Sequence, residues 1–390
     1  MQLSTTATAS LDRYTQPEPK AASKTGFLRP IDEMIMLGIP TIGIILCVLL
    51  QFLSRMNHGT FQVDGVTTLL TTLIFMDAVH VTFTFMLIAC LPEMRAWSTS
   101  KENKPSVGWD KGRSFWKRMA IIASGLAIVV FVLKVSPESS TVRGMATIWL
   151  FLELLGPSQH TAAQMRGISF VYNSTIRRAY EFTEAEKVRA VSAEKYERLL
   201  FKLLILGDVL YWIPKIFQPD NFHIPYVNQI QIVGAVSVGS AAIGLLLNSF
   251  RYPKQNETDK TFFLTRVLLF PFKIINPVGG LAIRATHGSE YLMIFRRIVQ
   301  SSSISKEKQR RVYWLTAAIS MVYGLVFLSI WPGVMFKTFG FDLGRNLVGI
   351  ALAITFVVRF THYYMDALVF KMSDPMTRAA VSPLLVPKNK

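Results

Sequence analysis

Nine stretches of this chain are apolar over the thickness of a lipid bilayer, and that feature leaves few folds open. A helix needs roughly 20 mostly apolar residues to cross the hydrocarbon core, with a range of about 17–25. Runs of this kind lie at 34–54, 66–91, 117–135, 144–172, 199–217, 228–250, 279–296, 312–332 and 346–370. In lipid, each spanning segment must satisfy its own backbone polar groups, so these runs are expected to be helices. Composition agrees. Charged residues make up 17% of the 390, against about 25% in a soluble domain. The expected fold is all-α, a polytopic integral membrane helical bundle.

Charge sets the orientation. The formal net charge is +17, which in a soluble protein would suggest nucleic acid as a partner. Here Lys and Arg gather at 95–118, 177–202, 251–260 and 296–311, while 55–65, 134–143, 215–227 and 333–345 are poor in them. The alternation follows the positive-inside rule, so no nucleic-acid partner is expected. Both 251–260 and 296–311 read as cytoplasmic. The chain must therefore enter and return between them. The short apolar segment 262–276, which carries Arg266 and Lys273, reads with 279–296 as a hairpin, re-entrant or spanning. About nine to ten segments then enter the membrane, with both termini cytoplasmic.

The remaining organisation is simple. Residues 1–33 are polar and read as a disordered cytoplasmic tail, 34–371 as the membrane domain, and 372–390 as a second cytoplasmic tail. Within the domain, 174–198 has mixed charge at helical spacing and reads as a cytoplasmic extension of the helices on either side. The sequons at Asn173 and Asn256 fall in loops on the cytoplasmic side by this reading. Gly234, Ser237, Gly239 and Gly244 suit close helix packing. No organelle address is present, and a bacterial inner membrane is the expected location.

Four of the six histidines, His80, His160, His287 and His362, fall inside these spans. Each has polar neighbours at offsets of three, four or seven, which share its helix face. Asp77 precedes His80, Glu153 and Gln164 flank His160, Arg284 and Glu290 flank His287, and Arg359 and Asp366 flank His362. All four helices run from outside to inside in the topology above. His80, His160 and His362 lie 14–16 residues from the outer ends of their spans, about 22 Å deep at 1.5 Å per residue. His287 and His362 each lie nine residues before a basic boundary, at Arg296 and Lys371. The four imidazoles thus share a level.

Ionisable groups in a bilayer are costly and mark functional interiors. Neutral imidazole is the commonest metal ligand, and a carboxylate one turn away can ligate beside it or orient it. The expected metal ligands are His80, His160, His287 and His362. Asp77, Glu290 and Asp366 are candidate catalytic residues, as further ligands or supports for the first. Arg284 and Arg359 are candidate cofactor-binding residues for a carboxylate, a phosphate or a haem propionate. Iron is the favoured cofactor, with copper, zinc or haem as alternatives.

The chain has no H-E-x-x-H, no P-loop, no G-x-S-x-G and no clustered H-x-x-x-H motifs. Reliance on scattered intramembrane histidines resembles the ligand logic of bacterial membrane carotene-cleaving dioxygenases; no motif matches residue by residue. The expected function is that of a membrane-embedded metal-dependent oxidoreductase, of the oxygenase, hydroxylase or desaturase kind. Its expected substrate is a lipid, fatty acyl chain or isoprenoid entering from the bilayer, with a redox partner on the cytoplasmic side. The alternatives are a non-covalent haem protein and a proton-coupled transporter.

Overall fold

A computed structural model describes residues 80–100, 113–135, 140–217, 226–254, 260–275, 278–328, 341–369 and 375–385. The first span, Asp77 and the side chain of Glu153 lie outside what is described. No strand occurs among the described residues, and the fold is all-α. The helices are α1 (His80–Cys90), α2 (Pro92–Thr99), α3 (Phe115–Val135), α4 (Ser140–Ala179), α5 (Glu184–Phe217), α6 (Val227–Ser249), α7 (Lys260–Leu264), α8 (Leu269–Ile275), α9 (Val278–Ser301), α10 (Lys306–Leu328), α11 (Phe341–Val369) and α12 (Pro375–Leu385). Among the described residues, α6 alone is both long and apolar enough to cross a membrane.

Helix α4 runs to Ala179 and α5 begins at Glu184, so the charged stretch between the apolar runs is itself mostly helical. The start of α5 is fixed by a capping box. The Thr183 amide donates to Glu186 Oε2 (2.9 Å), and the Glu186 amide donates to Thr183 Oγ1 (3.3 Å). One expectation changes here. Asn173 is not in a loop: it lies in α4 and is buried. Gly156-Pro157, just before His160, is accommodated inside a continuous α4.

Helices α5 and α6 make the tightest pairing. A Cβ at Gly234 would lie 2.6 Å from the Tyr211 amide nitrogen and 2.8 Å from the Gly207 carbonyl oxygen. Backbone meets backbone there, so no side chain fits. Gly239, by contrast, faces open space.

The segment 260–275 folds as α7, a turn of 3-10 helix (Thr265–Leu268) and α8. Lys273 packs against Gly280, and Arg266 pairs with Glu290 on α9. These contacts close an antiparallel hairpin with α9. The same segment pairs with α5 through Lys260–Glu197 (2.7 Å) and Lys273–Asp208 (2.9 Å). Both numbers rise together, so this arm runs parallel to α5. The stretch read as a C-terminal tail contains α12, whose Val381, Leu384 and Leu385 are buried; Arg297 Nε on α9 donates to the Leu385 carbonyl (2.9 Å).

Candidate metal centre

His80 on α1, His160 on α4, His287 on α9 and His362 on α11 come together in the core. Their rings form a closed quadrilateral. Ring centroids are 4.4 Å apart for His80–His287, 4.9 Å for His287–His160, 5.4 Å for His160–His362 and 5.0 Å for His362–His80. All four edges are steeply inclined, with interplanar angles of 63–90°. His80, His287 and His362 are buried, and His160 is nearly so. One nitrogen from each of His80, His160 and His287 lies within 4.8 Å of the others, and His160, His362 and Asp366 form a second such group.

The contacts also fix direction. His80 meets His362, and Thr84, one turn on, hydrogen-bonds Asp366, one turn beyond His362. His80 meets His287, and Thr84 meets Tyr291. Gly156 packs on Phe360 and Tyr363, and His160 on Asp366. Residue numbers rise together in every pair, so the four helices are parallel. The shared level read from the sequence is a shared level in space.

Below the imidazoles lies an oxygen-rich layer. The Tyr291 hydroxyl donates to Asp366 Oδ1 (2.7 Å), Thr84 Oγ1 donates to the same oxygen, and the two hydroxyls touch. Asp366 Oδ2 faces His160 Nε2 at 3.2 Å and His362 Nε2 at 3.3 Å. His287 has both ring nitrogens buried without a hydrogen-bond partner among the described residues. A buried polar atom left this way costs about 1–3 kcal/mol, and a cation among the rings would relieve it. Tyr363 stacks on His160 with centroids 4.5 Å apart and walls one side.

The other candidates are placed differently. Glu290 turns away to pair with Arg266, which also lies over the Phe263 ring at 4.8 Å. Its Oε2 is buried without a hydrogen-bond partner among the described residues, and it belongs to neither of the two groups above. Asp208, buried on α5, accepts two hydrogen bonds from Lys273. Arg284 sits half-buried on α9 and Arg359 buried on α11, each one turn before its histidine. Thr84 is the residue sequence reasoning passed over, and Tyr291 reads from the sequence as interior packing beside the site, although each follows a site histidine by four. Comparison with family models, with curated proteins and with solved structures yields no significant match. The site is therefore read from its own chemistry.

Proposed function

We propose that this chain is a polytopic integral membrane metalloenzyme, an iron-dependent oxidoreductase whose centre is held by His80, His160, His287 and His362. The observation that carries the reading is the closed quadrilateral of buried imidazoles from four parallel helices. Imidazole suits iron, copper, zinc and nickel, and a mixed histidine and carboxylate set suits non-haem iron. Oxygen activation is the chemistry such an ion would supply; the four histidines would hold it, the Asp366 carboxylate stands beside them, and the burial of the site would keep bulk water out. The substrate class is a lipid, fatty acyl chain or isoprenoid, with electrons delivered from a cytoplasmic redox partner where the reaction needs them.

Membrane residence has separate support. Large apolar side chains face outward on α6 (Ile232, Val233, Val236, Ile243, Leu247) and on α10 (Trp314, Leu315, Ile319, Met321, Val322), while Lys260, Arg266, Lys273 and Asp366 are buried. Apolar side chains exposed on two helices, around charged groups that are buried, suit lipid as solvent. The location that goes with this is a bacterial inner membrane, with both termini cytoplasmic.

Elemental analysis of the full chain purified in detergent tests the reading. It should hold iron, and the double variant His160→Ala with His362→Ala should hold none. A metal-free wild-type protein after anaerobic reconstitution, or unchanged metal in the double variant, would sink it. Proton-coupled uptake into vesicles in the absence of bound metal would favour the transporter instead.

A further inference from the structure

We infer that Asp366 is a fifth ligand of this centre, binding through Oδ2 alone, and that Thr84 and Tyr291 are the positioning residues that keep it so. The inference rests on the metal-centre reading above and decides a point that reading leaves open. Asp366 Oδ2 is buried and makes no hydrogen bond among the described residues. It nevertheless lies 3.2 Å from His160 Nε2 and 3.3 Å from His362 Nε2, and His362 Nε2 lies 3.3 Å from His80 Nε2. Donors bound to one ion at about 2.1 Å stand about 3.0 Å apart at a right angle and about 3.4 Å apart at the tetrahedral angle. All three separations fall in that interval.

The other carboxylate oxygen is engaged elsewhere. Asp366 Oδ1 receives Tyr291 Oη at 2.7 Å and Thr84 Oγ1. With one oxygen held by hydroxyls, the carboxylate offers the ion the other alone. The register explains how the sequence arranges this. Thr84, Gln164, Tyr291 and Asp366 each follow their helix's histidine by four residues. On parallel helices they form a second layer about 6 Å further along the axis. The upper layer supplies nitrogen and the lower one supplies oxygen. The donors fall into two groups that share His160, and Asp366 stands in the one with His160 and His362; a mixed histidine and carboxylate set of this kind suits a redox-active ion better than the tetrahedral site of structural zinc.

Cobalt(II) is the probe. It is added to the metal-free full chain in detergent, its affinity is measured, and its visible d–d bands report coordination number. The wild-type protein is expected to show the weak bands of five- or six-coordination. Asp366→Ala should show the intense bands of a four-coordinate ion and bind cobalt at least tenfold more weakly. Tyr291→Phe removes only a hydroxyl and should preserve the fold. It should shift the bands and weaken binding by roughly 10–100-fold, as should Thr84→Val. Cobalt bound with the same spectrum and affinity in wild type, Tyr291→Phe and Thr84→Val overturns the inference and leaves the metal centre standing. Failure of the wild-type chain to bind cobalt overturns both.

Discussion

Two buried polar regions lie side by side in this protein, and they are satisfied in different ways. Along the hairpin arm, each cation meets an acid: Lys260 meets Glu197, Arg266 meets Glu290 and Lys273 meets Asp208. Asn173 adds a second acceptor for Lys260 at 2.7 Å. In the histidine quadrilateral, charges and donors are not matched within the protein. His287 offers two ring nitrogens and Asp366 one carboxylate oxygen with no hydrogen-bond partner among the described residues. Arg266 Nε and Glu290 Oε2 are left without a hydrogen-bond partner among the described residues, but every charge along the arm stands beside an opposite one, and such pairing holds helices together. A region that leaves several convergent donors open is built around something else.

Breaking the ion-pair column should have the largest effect. Lys260→Met strands the buried Glu197 carboxylate and should cost about 3–5 kcal/mol. Thermal unfolding in detergent should show this, and adding Glu197→Leu should recover most of it. If the single variant is neutral, the column is ornament rather than support. Gly234→Ala tests the neighbouring α5–α6 contact, where a methyl would meet backbone at 2.6 Å. It should cost about 1–3 kcal/mol, and Gly239→Ala, facing open space, should cost nothing by comparison.

At the start of α5 the expected effect is smaller. Thr183→Ala should cost about 1 kcal/mol in the same unfolding measurement. The backbone amide of Thr183 holds the Glu186 carboxyl below its ordinary value, with the Thr183 hydroxyl and Lys254 helping. The cap's electrostatic contribution is therefore complete above the unfolded carboxylate value and is lost as pH falls through the lower folded one. Glu186→Gln should flatten that acid limb.

The smallest effect sharpens the comparison most. In metal-free protein, His287→Leu should leave stability within about 1 kcal/mol of wild type or raise it, because it removes unsatisfied nitrogens rather than half of a pair. Added metal at 100 times its dissociation constant should stabilise wild type by about 2.7 kcal/mol, and the variant by less. A loss as large as that of Lys260→Met would make His287 a structural residue.

Much of the centre was legible before any coordinates. Four histidines at one depth on four co-directional runs is a statement about period and charge alternation, and both are local properties. Asp366 was legible for the same reason, one turn from His362. The pairing of Glu290 was not legible, because sharing a face with His287 does not fix which neighbour that face meets. Its partner, Arg266, comes from another helix, as Lys273 does for Asp208. Pairing between segments leaves no periodic trace. Thr84 escaped notice, and Tyr291 read as packing, because neutral hydroxyls on an apolar helix carry no conspicuous cost. Asn173 read as a loop residue because the apolar run ends there, although α4 continues to Ala179.

The parallel arrangement of the four helices has a consequence for synthesis. His80 and His362 touch across 282 residues of chain. At a translation rate of ~5–20 residues per second, the last imidazole follows the first by roughly 15–60 s. During that interval the ribosome-bound chain lacks His362 and the carboxylate that follows it, so the histidine quadrilateral is incomplete. On the proposed metal-centre reading, an ion would be loaded only once the last of the four helices has arrived.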